Sequence, residues 1–162
     1  MSKNKPNRQD MYYQGQFTPK IPEKYLGDVS DIQFRSKWEY KFCYYCDYEE
    51  SVEKWSCETI EIPYNFIENE QYVTKTYIPD FWVKFKNGDE FIIEVKPYKQ
   101  IVEPIPPKNS SIKSLEGYEY RLREYLKNML KWESAEEYCK RRGLTFYLLT
   151  EKYFEDKQIK LF

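Results

Sequence analysis

Apolar and polar positions run along this chain in two rhythms, and the switches between them outline the elements. Phe34, Trp38, Phe42 and Tyr45 recur at helical spacing behind Ser30 and Gln33, which suit a capping box. A helix is therefore expected to run to about Asp47. Three strand-like runs follow, about Trp55 to Pro63, Tyr72 to Phe85 and Glu90 to Lys96, with Asn87-Gly88 as the turn between the last two. Residues 97–113 hold four prolines, Asn109 and two serines, and read as a loop. A second helix is expected from about Leu115 to Arg142, with Leu122, Tyr125, Met129 and Trp132 on one face, Leu126 and Leu130 beside it, and Gly143 as its stop. Leu144 to Leu149 reads as a short buried strand and Thr150 to Asp156 as a last short helix, with Thr150-Glu151 as its cap and first-turn carboxylate.

Residues 1–28 break both rhythms. Pro6, Pro19, Pro22, Gly15 and Gly27 mix with lysines and arginine, as in an extended basic arm that Tyr12, Tyr13, Phe17 and Tyr25 could anchor to the domain or to a partner. Residues 29–162 then form the domain. At 162 residues, one domain of ordinary size is expected. No run approaches the ~18 apolar residues of a membrane span, and no apolar signal region opens the chain, so a soluble protein with reduced cysteines is expected.

Composition narrows the chemistry. The chain has no histidine, which removes Ser-His-Asp and Cys-His hydrolases, HExxH metalloproteases, Cys2His2 fingers, zinc deaminases and histidine-held haem. The net charge of −1 hides an uneven layout. Residues 39–72 carry nine acidic and two basic side chains, whereas residues 1–38 carry seven basic and four acidic. Such an acidic block is either a solvated face or an aid to binding a divalent cation beside a basic surface.

The hairpin of the second and third strand runs carries the candidate chemistry. Phe81, Val83 and Phe85 share one strand face, and Phe91, Ile93 and Val95 share the matching one, so both belong to the core. Asp80, Glu94 and Lys96 then point together to the other side. That requires paired residue numbers with an even sum, such as Asp80 with Glu94 or Lys96. A two-residue Asn87-Gly88 turn would give an odd sum and set polar faces against apolar ones. A three-residue loop or bulge at Gly88, where positive φ is available, is therefore predicted.

Two carboxylates and an ammonium on one face suit phosphoryl chemistry. Mg²⁺ takes oxygen ligands, commonly one or two carboxylates, and keeps waters for the substrate. Asp80 and Glu94 can supply that grip, and Lys96 can orient or deprotonate a water or offset charge on a phosphate. Glu39, at the edge of the first helix's stripe, is a candidate third ligand; Glu58 is another.

Pro79-Asp80 with Glu94-x-Lys96, after a helix bearing Glu39, resembles the PD-(D/E)XK nuclease superfamily, and the order of elements is similar to its core. The resemblance widens along Gly15-x-Phe17-x-Pro19, Lys24-Tyr25-x-Gly27-Asp28, Phe34-Arg35-Ser36-x-Trp38-Glu39, Cys46-Asp47, Trp55-Ser56-x-Glu58, Ile62-Pro63-Tyr64, Tyr77-x-Pro79-Asp80-Phe81, Glu94-Val95-Lys96-Pro97, Lys131-Trp132 and Leu149-Thr150-Glu151. Nearly all of Gly15 to Glu151 resembles the head-completion nuclease family of T4-like tailed phages, and more distantly the TnsA-type transposase endonucleases. Cys57 stands where that family often has serine.

The resemblance implies an α/β, restriction-endonuclease-like core with a central mixed β-sheet flanked by helices. It also implies Glu39, Asp80, Glu94 and Lys96 as the catalytic set, with Mg²⁺ (Mn²⁺ substituting), and Glu58 as a further position without an assigned role. The implied substrate is DNA and the implied partners are phage head or neck proteins. The setting would be head completion and head–tail joining after packaging, in the virion and the host cytoplasm.

Plainer readings stand beside these. Asp80, Glu94 and Lys96 could be cross-strand ion pairs on a solvated hairpin face, and Glu58 a partner of Lys54. Cys43 and Cys46, with Cys57 and Cys139, could hold zinc or be ordinary thiols. Arg121, Arg123, Lys127, Lys131, Lys140, Arg141 and Arg142 could face DNA phosphates, but they alternate with glutamates as a solvated helix face does. Lys3, Lys5 and Arg8 could touch DNA or a capsid partner. As a whole, the rival to an enzyme is a structural head or neck protein that keeps the fold and works by docking.

Overall fold

A computed structural model describes residues 13–155. In chain order the elements are β1 (Gly15–Gln16), a 3₁₀ turn (Pro22–Lys24), β2 (Gln33–Phe34), α1 (Lys37–Tyr48), β3 (Val52–Cys57), β4 (Ile62–Glu68) and β5 (Gln71–Tyr77). They continue with β6 (Phe81–Phe85), β7 (Glu90–Val95), α2 (Tyr98–Ile101), α3 (Ile112–Arg142), β8 (Thr145–Leu149) and α4 (Lys152–Glu155). The central sheet has the order β3-β6-β7-β8. Its first three strands are antiparallel neighbours and β8 lies parallel to β7, so it is mixed.

Three layers result. Phe81, Val83, Phe85, Phe91, Ile93 and Val95 pack against Phe42, Cys43 and Cys46 of α1. On the other face, Ile92 meets Trp132, Ala135 and Cys139 of α3 and Ile62, Tyr64 and Tyr77 of the β4–β5 hairpin. Both faces of β6–β7 are therefore covered, which corrects the reading of a hairpin with one solvated side.

The register follows the apolar pattern. Phe81 pairs with Ile93, Val83 with Phe91 and Lys84 with Glu90, all even sums. Phe85 N donates to Asp89 O at 2.8 Å and Gly88 N to Phe85 O at 3.0 Å, closing a three-residue loop with Gly88 at φ 93°. A side chain at that φ would be strained, which is why glycine sits there.

Several expected boundaries move. The first helix starts at Lys37, not near Ser30, because Ser36 is the better cap: its Oγ accepts from Glu39 N at 3.1 Å. Ser30 instead bonds Asp28, through its own N–H at 2.9 Å and its hydroxyl at 2.6 Å. The first two strand runs become four strands. Asn69 and Glu70, at φ 50° and 63°, turn β4 into β5, and Ile78-Pro79-Asp80 separates β5 from β6. Within the expected 97–113 loop, Tyr98–Ile101 forms one helical turn. The long helix ends as expected, with Gly143 at φ 70°. Only its C-terminal half enters the core; Leu126, Met129 and Leu130 are exposed. In β8 only Leu149 is buried, because that strand lies at the sheet edge.

Of the proposed arm, Lys3, Lys5, Arg8 and Tyr12 lie outside the described residues, as does Asp156. Phe17 and Tyr25 are core residues, and Tyr13 stacks on Phe34 at 5.5 Å. Lys24 Nζ donates to the carbonyls of Cys46, Asp47 and Glu49, satisfying the C-terminus of α1. The buried Asp47 accepts from the backbone of Lys20 and Ile21 at 2.7 and 3.0 Å. Among the described residues no helix is long and apolar enough to cross a membrane.

Candidate active site

Extending the β6–β7 register by one residue sets Asp80 opposite Glu94. Pro79 beside it is fully buried. Asp80 Oδ2 accepts from Val95 N at 2.7 Å, which pins the carboxylate to the end of β7 and leaves Oδ1 without a protein donor. Glu94 is buried on the face toward α3, 6% exposed. Tyr77 Oη donates to its Oε2 at 2.9 Å and Lys96 Nζ to its Oε1 at 3.1 Å. A carboxylate offers about four acceptor sites, so Glu94 keeps lone pairs for a further ligand. The partner of Lys96 is thus on its own strand, two residues away and buried, not an exposed residue across the hairpin.

Electrostatics tie the group together. Burial, then the charges of Glu94 and Glu39, hold the Asp80 carboxyl well above its ordinary value, against the pull of the Val95 N–H and Lys96. Burial alone would lower Lys96, but Glu94, Asp80 and Glu39 outweigh it and raise its pKa. Burial also raises Tyr77, with Glu94 adding to it, so its hydroxyl remains a donor. Lys131 of α3 is shifted down by burial and by the nearby charges of Lys96 and Lys127, and its ammonium lies 5.7 Å from the centre of the Tyr77 ring.

Glu39 reaches this group from α1. Its carboxylate accepts from Arg35 N at 2.7 Å and Ser36 Oγ at 3.0 Å, so it ties down the start of the helix while facing the site. Burial, partly offset by those bonds, raises its pKa. Glu58 sits at the rim. Its backbone N donates to Asp80 O at 3.0 Å, its φ is 50°, and its side chain pairs with Arg35 rather than Lys54. The structure therefore brings Glu39, Asp80, Glu94 and Lys96 into one electrostatic unit, with Glu58 adjacent and turned toward Arg35.

The donor set suits a hard divalent cation, because three carboxylates share a partly buried space with one ammonium inside it. Among the described residues no group of three or more His, Cys, Asp or Glu side chains is placed to hold a metal ion together. An ion here would rest on Asp80 and Glu94, with water filling its other positions. The four-cysteine zinc site does not assemble: Cys43, Cys46 and Cys57 lie in the α1 core and Cys139 in the α3 core, across the sheet.

Three participants are absent from the sequence reading's site. Ser36-x-x-Glu39 was legible as a capping box and, once seen, would have turned Glu39 inward. Tyr77 gave no local signal, since its bond to Glu94 spans separate sheets. Arg35 likewise meets Glu58 only through the fold.

A mixed sheet between helices, with this carboxylate pair and lysine on its central hairpin, defines a restriction-endonuclease-like domain. Residues 49–151 match the family model described as TnsA-like endonuclease N terminal, and the chain belongs to that family. It is also 33% identical over 141 residues to the head completion nuclease of Enterobacteria phage T4, a match covering 87% of this chain and 93% of that protein.

Proposed function

We propose that this protein is a divalent-metal-dependent deoxyribonuclease that acts in phage head completion. The observation that carries the reading is the Asp80–Glu94–Lys96 group: two carboxylates and an ammonium held together where β6 and β7 begin and end, with Glu39 behind them. Family membership and the named relative support the same activity. Asp80 and Glu94 would hold Mg²⁺, with Mn²⁺ able to replace it. A bound ion would supply Lewis-acid stabilisation of phosphate charge and a more acidic water.

The chain's own residues do the rest. Lys96 orients the attacking water and offsets charge on the phosphate oxygens. Tyr77 holds Glu94 in place, and Glu39 fixes the start of α1 against the site. The water oxygen bonds to phosphorus, one P–O ester bond breaks, and the water's protons pass to the leaving oxygen and to solvent. The expected setting is the virion and the host cytoplasm during assembly, with phage head or neck proteins as neighbours.

Plasmid DNA incubated with purified protein should be nicked or linearised in Mg²⁺, left intact in EDTA, and left intact by Asp80→Ala. Cleavage by Asp80→Ala at the wild-type rate, or none by wild type under any divalent metal, overturns the reading and favours the docking protein.

A further inference from the structure

A cleft of about 730 Å³ opens beside the carboxylate group, with Lys96 in its wall. One side is the segment after β7; the other is a single stripe of α3, where Tyr120, Arg121, Glu124, Tyr125, Asn128 and Lys131 recur at helical spacing. Lys99, Arg121 and Lys131 bring three positive charges beside Lys96, which is paired with Glu94, against Glu103 and Glu124. Tyr120 is 63% exposed. The cleft therefore combines cations for a phosphate backbone with aromatic rings for a base, the two components of a single-strand site.

The size agrees with one nucleotide. The volume of about 730 Å³ lies in the range of small-ligand sites. The segment after β7 is also fixed in place. Glu151 Oε2 accepts from Tyr98 N at 2.7 Å, and Lys152 sits 3.3 Å from the centre of the Tyr98 ring.

We infer that this cleft binds an unpaired nucleotide next to the scissile phosphate, so that the preferred substrate is DNA with a single-stranded end, gap or flap. The inference rests on the nuclease reading only for its position beside the reacting group. It also accounts for the N-terminal half of α3, which lies outside the core.

Binding is measured without cleavage, using full-length Asp80→Asn in EDTA and fluorescence anisotropy at one fixed salt concentration. The probes are a labelled thymidine hexanucleotide, the same backbone without bases, and a blunt duplex of equal nucleotide count. The thymidine strand should bind about tenfold or more tightly than either comparison. Adding Tyr120→Ala should weaken it between about 5- and 150-fold, the range of one lost base stack. Adding Arg121→Ala should weaken the thymidine and abasic strands alike and flatten their salt dependence. Equal binding of all three probes, or no effect of Tyr120→Ala in a protein with unchanged circular dichroism, overturns the inference. If wild type cuts plasmid while the hexanucleotide fails to bind, the cleft inference fails and the nuclease reading stands. Base-dependent binding by a protein that cuts nothing has the opposite meaning.

Discussion

Replacing Asp80 by Asn should abolish cleavage and, in the absence of metal, make the protein more stable. Asn keeps an oxygen to accept from Val95 N, so the 2.7 Å bond can survive. It removes a charge that burial, Glu94 and Glu39 all disfavour. Directly opposed strand residues have Cβ atoms about 4.5–5.5 Å apart, so two charges about 5 Å apart set the order of magnitude. At an effective dielectric of about 20 that repulsion is about 3 kcal/mol, and Lys96 offsets part of it. A net gain of about 1–2 kcal/mol remains, which for a chain of this size is about 2–8 °C in Tm.

The pH dependence has a definite sign. A carboxyl whose folded pKa is raised contributes stability that is fully present below its unfolded value and is lost as pH rises through the folded one. The variant's advantage should thus vanish toward about pH 4, near the unfolded pKa of aspartate, and be larger in EDTA at about pH 7.5. Thermal melts of both proteins at the two pH values make the comparison. Mg²⁺ should then raise the wild-type Tm and move the variant less. A variant that melts at or below wild type at neutral pH in EDTA, or with an advantage that ignores pH, would show that Asp80 is not held against its charge.

Two further substitutions test the surroundings of the site. Tyr77→Phe removes one donor to the buried Glu94 and should cost about 1–2 kcal/mol in denaturant melts while lowering kcat more than it raises KM; unchanged kcat would deny Tyr77 its positioning role. Glu70→Gly should stabilise by about 0.5 kcal/mol, because relief of a left-handed residue worth about 1–2 kcal/mol outweighs the added freedom of the unfolded chain; chemical denaturation with an unchanged m-value would show it.

The period-2 alternation of Phe81, Val83 and Phe85 against Phe91, Ile93 and Val95 was enough to set the hairpin's register, its three-residue loop and the side from which Asp80, Glu94 and Lys96 project. Face assignment in a strand is a parity, and parity survives small errors in boundaries. The β4–β5 hairpin was not legible for the converse reason. Its turn residues are Asn69 and Glu70, and glutamate at positive φ is not a turn signal. Stripes also mislead where burial depends on length. Leu126, Met129 and Leu130 carry the same helical rhythm as Trp132, yet a 31-residue helix outruns a sheet whose strands are five or six residues long. Periodicity identifies the face of α3 without showing where along it the core ends.

Charge shows the same difference between order along the chain and arrangement in space. The acidic block of residues 39–72 suggested a negative surface gathered at a metal. Of its members, Glu39 and Glu58 reach the site. Asp47 holds the backbone at Lys20 and Ile21, Glu49 bonds Ser51, Glu53 pairs with Lys84, and Glu68 pairs with Lys75. The block is therefore shared out among local caps, turns and pairs, with Glu53 and Glu68 each meeting a lysine. What makes the site negative is a pair of carboxylates from the more basic stretch that follows, Asp80 and Glu94, with Glu39 brought in by a helix cap. A site whose charge comes from residues this far apart in sequence depends on the register of β6 and β7. A one-residue slip there would turn Glu94 toward the α1 core, so the pattern that buries Phe81 and Ile93 also keeps the catalytic face assembled.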